Sequence, residues 1–272
     1  MKSAPIKPLL LGLAIAAVTA ACATTTSPTG RTQQVGAVPQ EQLNQMGAQA
    51  FAEYKAKLPQ STNSSQTAYM RCVVSAITRQ LPSGWQTGWE SALFVNKEPN
   101  AFALPGGKVG LYTGIFSVAR NQDQLAGVIA HEIGHVVSRH HDERVTRQMG
   151  AQAGIGILGA LVGSQYGSGA AQTTQQLGGA AVQAAFLLPN NRAQESEADI
   201  VGQRLMAEAG FNPEQAVNLW QNMIAAGGSR GPEWLSTHPE PQSRIAELRA
   251  RAADLVPVYQ QAQAAGRKPS CG

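Results

Sequence analysis

Two histidines four residues apart, with a glutamate beside the first, are the residues of this chain best suited to chemistry. They lie in the segment His131-Glu132-Ile133-Gly134-His135. Residues four apart share one face of a helix, so both imidazoles can bind the same metal ion. Glu132 is near enough to take a proton from a water at that ion, and Zn²⁺ with an open coordination position makes such a water acidic. The segment therefore indicates a zinc hydrolase site, with two satisfied core histidines as the alternative.

The helix that must carry this segment is predicted to begin just after Asn121. Asn121 is a good N-cap residue, and Gln124 completes a capping-box pattern three residues later. Apolar residues then recur at helical spacing, which predicts one helix over about 122–147. On such a helix His140 and His141 project away from the two motif histidines. Both are therefore expected to face solvent.

A third metal ligand is expected from an acidic segment further along the chain. Glu195 and Asp199 are four residues apart and share a helix face. Glu197 projects about 200° round the helix from Glu195 and is expected to point elsewhere. A metal-bound Glu195, with Asp199 orienting a histidine, fits the way that metal sites are built. The alternative is a solvated helix N-terminus, where carboxylates interact favourably with the helix dipole.

Composition argues against nucleic acid as a partner. The chain has 272 residues, which fits one sizeable domain, and 43% of them are hydrophobic. The formal net charge is +4, and two of the positive charges are Lys2 and Lys7, in a segment that we expect to be removed. A charge this mild and this evenly spread does not predict nucleic-acid binding.

Residues 1–21 have the features of a bacterial lipoprotein signal peptide. Two lysines precede an apolar run from Leu9 to Val18, and small residues lead to Cys22. The run is shorter than the about 20 residues that a transmembrane helix needs. We expect cleavage before Cys22 and lipidation of that cysteine, with plain secretion as the alternative. By resemblance to lipoprotein sorting in enteric bacteria, Ala23 favours the inner leaflet of the outer membrane.

The rest of the chain divides into a tether, a domain and a tail. Residues 22–39 contain almost no large apolar side chains and are predicted to be a flexible, lipid-anchored tether. The domain is predicted over 40–256, and 257–272 are expected to be a C-terminal tail. Residues 150–190 are rich in glycine, alanine and glutamine, which suggests a helical hairpin or a mobile lid.

Cys72 and Cys271 are the cysteines that remain if Cys22 carries lipid. An even pair in an oxidising compartment predicts a disulfide that ties the tail to an early helix. Two free thiols are the alternative.

The predicted fold is α+β and mainly helical, with a small antiparallel sheet just before the motif helix. Its strands are expected at 91–95, 101–104 and 108–112, with a Pro-Gly-Gly turn between the last two. An exposed edge of this sheet could bind an extended peptide by strand addition. A purely structural hairpin is equally compatible with the pattern.

Four motifs resemble, in their order along the chain, those of the zinc metallopeptidases related to HtpX and the CAAX prenyl proteases. They are Asn-Ala-Phe-Ala-Leu-Pro-Gly-Gly at 100–107, the segment 131–135, the stretch 195–199, and Ser-Thr-His-Pro at 236–239. The resemblance covers about 40–255 and implies a zincin-like metallopeptidase domain. The multi-span membrane domains of HtpX and the prenyl proteases have no counterpart here, so cleavage of prenylated substrates is not implied.

The resemblance implies one Zn²⁺ per chain, bound by His131, His135 and Glu195. Glu132 would be the general base that deprotonates a zinc-activated water. Asp199 would support the ligands.

His238 matches a family histidine that can approach the metal. It would either block the open coordination position or act in catalysis by stabilising the oxyanion. Arg244 is a weaker candidate for the same electrostatic role.

The closest branch looks like the periplasmic, lipid-anchored peptidases that deal with misfolded or unassembled outer-membrane proteins. This resemblance implies a metalloendopeptidase of the periplasm, held to the membrane through Cys22. Unfolded or misassembled proteins would be its substrates, and the outer-membrane assembly machinery a possible partner. A latent or chaperone-like assembly factor with the same fold is the alternative, and a metal-free structural lipoprotein is a third.

Overall fold

A computed structural model of the protein describes residues 23–166, 188–226, 238 and 241–272. The predicted signal peptide, Cys22 and the part of the predicted lid at 167–187 lie outside these residues. The described part of the chain contains no helix with the length and apolar character needed to cross a membrane. The chain divides into two units, Met1–Gln40 with Asp142–Ala184, and Glu41–His141 with Ala185–Gly272.

The elements are numbered in chain order within the described residues. The helices are α1 (Gln40–Lys57), α2 (Ser64–Thr78), α3 (Gln122–Val137), α4 (His140–Tyr166), α5 (Leu188–Glu208), α6 (Gln215–Ala226) and α7 (Pro241–Ala264). The strands are β1 (Ala23–Thr26), β2 (Thr32–Val35), β3 (Glu90–Phe94), β4 (Ala101–Leu104) and β5 (Lys108–Tyr112). The mainly helical α+β fold expected from the sequence is present.

A three-stranded sheet precedes α3, in the order β3-β5-β4. β4 and β5 form the predicted antiparallel hairpin, and β3 pairs with β5 in the parallel direction, so the sheet is mixed. Gly106 and Gly107 close the hairpin with positive φ angles of 78° and 70°, which other residues adopt at a cost.

Helix α3 lies at the centre of the larger unit. It packs against α2, β4, α5 and α6, and every residue from Gln124 to Val136 is buried. Its start is capped as predicted, since the Asn121 side chain accepts a hydrogen bond from the Gln124 backbone at 2.9 Å. The Gln124 side chain reaches back to accept from the Arg120 backbone at 2.8 Å. The motif histidines therefore lie on a helix that cannot rotate without disturbing the core.

The prediction of one helix over 122–147 is wrong, because α3 ends at Val137 and α4 begins at His140. Ser138 caps α3 by donating its backbone N–H to Gly134 at 2.9 Å. Arg139 then adopts φ 57°, a left-handed conformation that is unfavourable for a residue with a Cβ. No glycine or proline marks this turn, so hydrophobic periodicity could not reveal it.

Residues 23–35 form a two-stranded antiparallel hairpin where the sequence suggested a flexible tether. The threonines of β1 and β2 favour extended backbone, and Gly30 completes the turn with φ 88°. Within this unit Arg31 donates two hydrogen bonds of 2.8 Å to the buried Glu143 carboxylate of α4. The segment therefore has local structure of its own.

The C-terminal residues are held within the larger unit by a disulfide and by hydrogen bonds. A disulfide joins Cys72 of α2 to Cys271, with Cα atoms 5.5 Å apart. The Gln122 side chain donates to the Pro269 carbonyl at 2.8 Å and accepts from the Cys271 backbone at 2.9 Å. Helix α7 extends to Ala264, into the segment expected to be a tail.

Candidate metal centre and active site

Helices α3 and α5 cross in direct backbone contact, and this contact builds the site. A methyl group on Gly134 would lie 2.8 Å from the Ala198 carbonyl oxygen. A methyl group on Gly202 would lie 2.8 Å from the Ala130 carbonyl oxygen. Glycine at both positions lets the helices approach more closely than side chains would permit. The acidic residues of α5 consequently reach the histidines of α3.

His131, His135, Glu195 and His238 form a buried group with the donor atoms of a metal site. Each offers one ligand atom, and these atoms all lie within 4.8 Å of one another. The Nε2 atoms of His131 and His135 are 3.1 Å apart. Lone pairs this close repel unless a proton or a cation lies among them, and imidazole with carboxylate is a donor set that suits transition metals. The group therefore fits a catalytic metal ion.

The outer nitrogen of His131 is held by a carboxylate. Its Nδ1 lies 2.9 Å from Asp199 Oδ1. Arg244 donates to both Asp199 oxygens, at 2.6 and 2.8 Å, and to Glu195 Oε2 at 2.8 Å. The guanidinium also lies over the Trp220 ring, 3.9 Å from its centre. Arg244 therefore binds two carboxylates at once. This double contact could not be predicted, because Arg244 is far from both carboxylates in the sequence.

The outer nitrogen of His135 is held by a second imidazole. Its Nδ1 lies 2.8 Å from His140 Nδ1, and His140 Nε2 lies 3.1 Å from Glu197 Oε2. His140 and Glu197 are both buried. The expectation that His140 faces solvent is wrong, because the turn at Arg139 reverses its direction. Glu197, expected to point elsewhere than Glu195, lies outside the metal-binding group and contacts His140.

Glu132 lies next to His238, the fourth member of the metal-binding group. Glu132 is 4% exposed, and its Oε1 lies 3.4 Å from His238 Nε2. His238 Nδ1 lies 2.8 Å from Glu195 Oε2 and 3.2 Å from His131 Nε2. His238 thus enters the site from a separate segment of the chain. His141 is half-buried and does not belong to the metal-binding group found among the described residues.

The two histidines of α3 differ in pKa. Burial opposes the charge of His131, but hydrogen bonds to Asp199 and Glu195 raise its pKa to about 9. Burial lowers the pKa of His135 well below the ordinary 6.5, against the opposing effect of Glu195. Burial would raise the pKa of Asp199, but Arg244 and His131 lower it to about 2. Asp199 is therefore a permanent anion beside His131.

Strand β4 lies next to α3, so the sheet adjoins the site. β4 is paired with β5 along one side and is an edge strand of the sheet formed by the described residues.

A buried pair of histidines, a glutamate from a second helix and an adjacent carboxylate define a metallopeptidase of the HExxH class. Residues 64–252 match Peptidase family M48. The chain belongs to this family, which confirms the relationship expected from the four motifs.

Relatives carry names that agree with this assignment. The chain is 35% identical over 162 residues to the mitochondrial metalloendopeptidase OMA1 of Schizosaccharomyces pombe, covering 59% of this chain and 45% of that one. It is 33% identical over 186 residues to the beta-barrel assembly-enhancing protease of Escherichia coli K12, covering 65% and 37%. For the protein of that name in Yersinia pestis, identity is 31% over 221 residues, covering 79% and 43%. The chain spans less than half the length of these relatives.

Proposed function

We propose that the protein is a zinc-dependent endopeptidase of the bacterial periplasm that hydrolyses misfolded or unassembled envelope proteins. The observation that carries the proposal is the buried group of His131, His135 and Glu195 with the Glu132 carboxylate beside it. Two imidazoles and one carboxylate form the ligand set of several zinc peptidases. Similarity to proteases named for β-barrel assembly supports the choice of substrates.

His131, His135 and Glu195 would hold one Zn²⁺, which when bound acidifies water and polarises a carbonyl group. Glu132 takes a proton from the attacking water as general base and returns it to the leaving amine as general acid. Asp199 holds His131 in the orientation that presents Nε2 to the site.

His238 and β4 would act on the peptide substrate. An extended peptide beside β4 would place a scissile bond near Glu132, using backbone hydrogen bonds that tolerate many sequences. His238 Nε2, 3.4 Å from Glu132 Oε1, is placed to donate a hydrogen bond to the carbonyl oxygen as negative charge develops there. Unfolded chains suit such a site because their backbone is available for pairing.

Cleavage of unfolded casein by the purified protein, with bound zinc quantified, tests the proposal. The wild type is expected to cleave with about one zinc per chain. Glu132→Gln should keep the zinc and lose at least about 100-fold in rate, because the amide cannot accept the proton. Cleavage by Glu132→Gln at the wild-type rate would refute the assigned mechanism.

A latent or chaperone-like assembly factor is the second candidate, and the position of His238 favours it. This ring lies inside the ligand group, 2.8 Å from Glu195, where it would occupy space needed by a substrate. One zinc per chain, no cleavage by wild type, and cleavage by His238→Ala would support latency. Zinc without cleavage by either protein would favour a chaperone-like role.

We also propose that Cys22 carries a lipid anchor, which would hold the enzyme at the outer membrane near its assembly machinery. The supporting pattern is the apolar run and small residues that precede Cys22. Cys22→Ser should release the protein from the membrane fraction of cells expressing it. Equal membrane association of the variant and the wild type would exclude this anchor.

A further inference from the structure

His135 is held by an imidazole where His131 is held by a carboxylate, and we propose that His140 and Glu197 act together to position His135 as a metal ligand. This inference rests on the proposed function, because it assumes that His135 binds a metal ion through Nε2. Neither residue belongs to the metal-binding group, and each acts on it through His135, so both are positioning residues.

The contacts form a continuous chain of hydrogen bonds from His135 through His140 to Glu197. His135 Nδ1 lies 2.8 Å from His140 Nδ1, and His140 Nε2 lies 3.1 Å from Glu197 Oε2. His140 is 0% exposed and Glu197 2% exposed. Burying a carboxylate and an imidazole costs free energy unless hydrogen bonds satisfy them. The fold therefore depends on these hydrogen bonds to keep His140 and Glu197 buried.

The direction of each hydrogen bond follows from the chemistry of the ligand. His135 Nε2 must keep its lone pair for the metal ion, so neutral His135 carries its proton on Nδ1. It therefore donates to His140 Nδ1, and His140 can accept only if its own proton is on Nε2. A carboxylate without a proton can only accept, so Glu197 favours the tautomer of His140 that His135 requires.

Both histidines are therefore connected to a carboxylate of α5. The connection is direct for His131 and passes through one other residue for His135. Asp199 binds His131 Nδ1 directly, at 2.9 Å. Glu197 reaches His135 only through His140. The left-handed residue Arg139, at φ 57°, turns the chain so that the first residue of α4 can complete the second connection. The sharp turn after the motif thus has a function in the site.

The experiment measures the affinity of metal-free protein for zinc by competition with a chromophoric chelator. His140→Ala should weaken zinc binding about 10–100-fold, as loss of a partner to a metal ligand commonly does. His140→Asn should recover part of the loss, since its amide oxygen can accept from His135. Glu197→Gln should weaken binding less than His140→Ala, since its amide oxygen still accepts from His140. His141→Ala, the same change one residue along α4, should bind zinc like the wild type.

Wild-type zinc affinity in His140→Ala would overturn the proposal, and so would an equal loss in His141→Ala. If His140→Ala does not fold by circular dichroism, ¹⁵N NMR of the zinc-bound wild type decides. A proton on His140 Nε2 and none on Nδ1 is expected, and a proton on His140 Nδ1 would refute the assignment.

The outcomes separate this proposal from the endopeptidase function. A wild type that binds zinc but cleaves no casein, with weakened zinc binding in His140→Ala, would support the positioning role and refute the proposed active endopeptidase. Normal zinc binding in His140→Ala, with cleavage lost only in Glu132→Gln, would do the reverse. A wild type that binds no zinc would refute both.

Discussion

His131 and His135 lie one turn apart on α3 and present Nε2 to the same point, yet their surroundings shift their pKa values in opposite directions. The pKa of His131 is raised to about 9 and that of His135 is well below 6.5. His131 has the Asp199 carboxylate on Nδ1, whereas His135 has the His140 imidazole there. The two histidines of one short motif therefore differ in basicity.

The two histidines are held in orientation by different kinds of contact. On the side of His131, Arg244 fixes Asp199 with two hydrogen bonds and lies over Trp220. On the side of His135, orientation depends on a neutral ring and on the turn that places it. The first side depends on charged groups in direct contact with His131, and the second on a relay through the tautomer of His140 to Glu197.

Disturbing the contact between α3 and α5, on which both histidines depend, should have the largest effect on zinc affinity. In Gly134→Ala the added methyl group would lie 2.8 Å from the Ala198 carbonyl oxygen, so α3 and α5 must separate. Both ligands would lose their partners on α5, and zinc affinity should fall by more than about 100-fold. Chelator competition measures this loss.

Gly127→Ala is the matched control, on the same helix. Its methyl group would lie 3.3 Å from the Ala216 Cα, a contact that a small movement relieves. Alanine favours a helix over glycine by about 1 kcal/mol, so propensity alone would stabilise both variants. Wild-type affinity in Gly134→Ala would show that the crossing of α3 and α5 tolerates a side chain.

Neutralising each carboxylate separately should reveal the difference between the two sides. Asp199→Asn replaces the anion beside His131 by a neutral amide and also leaves Arg244 with one anion fewer, so zinc affinity should fall about 10–100-fold. Glu197→Gln acts on His135 through His140 and should cost less. Equal losses of zinc affinity in the two variants, measured side by side, would show that Asp199 and Glu197 support their histidines equally.

His238 lies closer to the His131 side, with Nδ1 3.2 Å from His131 Nε2. His238→Ala should change the rate of casein cleavage without emptying the metal site, because three other ligands remain. Zinc content after gel filtration and the cleavage rate are the two measurements. A large fall in zinc content would make His238 a required ligand.

The pH dependence of the metal-free protein should be the smallest effect. His131 has a raised pKa, so its contribution to stability is present below 6.5 and is lost as pH rises through about 9. His135 has a lowered pKa, so its contribution is present above 6.5 and is lost as pH falls. Urea unfolding in EDTA at several pH values should show both losses, and His131→Gln should remove the one at high pH. An unchanged alkaline loss in that variant would assign it elsewhere.

Much of the site could be anticipated because its signals are local. Spacing alone put His131 and His135 on one face, and Glu195 and Asp199 on another. The capping pattern at Asn121 predicted the start of α3 to the residue. These inferences depend only on helix geometry, which neighbouring residues determine among themselves.

His140 is the site residue that the sequence misplaced. His140 was projected along a helix that in fact ends at Val137, so its predicted direction was that of a helix continuing unbroken. The angle between Glu195 and Glu197 correctly predicts that Glu197 lies outside the metal-binding group, but it could not predict the contact with His140. Helical geometry gives the direction in which a side chain points, but it does not identify the residues of other elements that the side chain contacts.

The sequence by itself determined which atoms were available: two imidazoles and a base within one turn of helix, and carboxylates at matching spacing on another. Only the tertiary structure decided that Asp199 contacts His131, and that Glu197 is connected to His135 through His140. The reason is that the close crossing of α3 and α5 at Gly134 and Gly202, and the left-handed turn at Arg139, depend on packing between segments far apart in the chain.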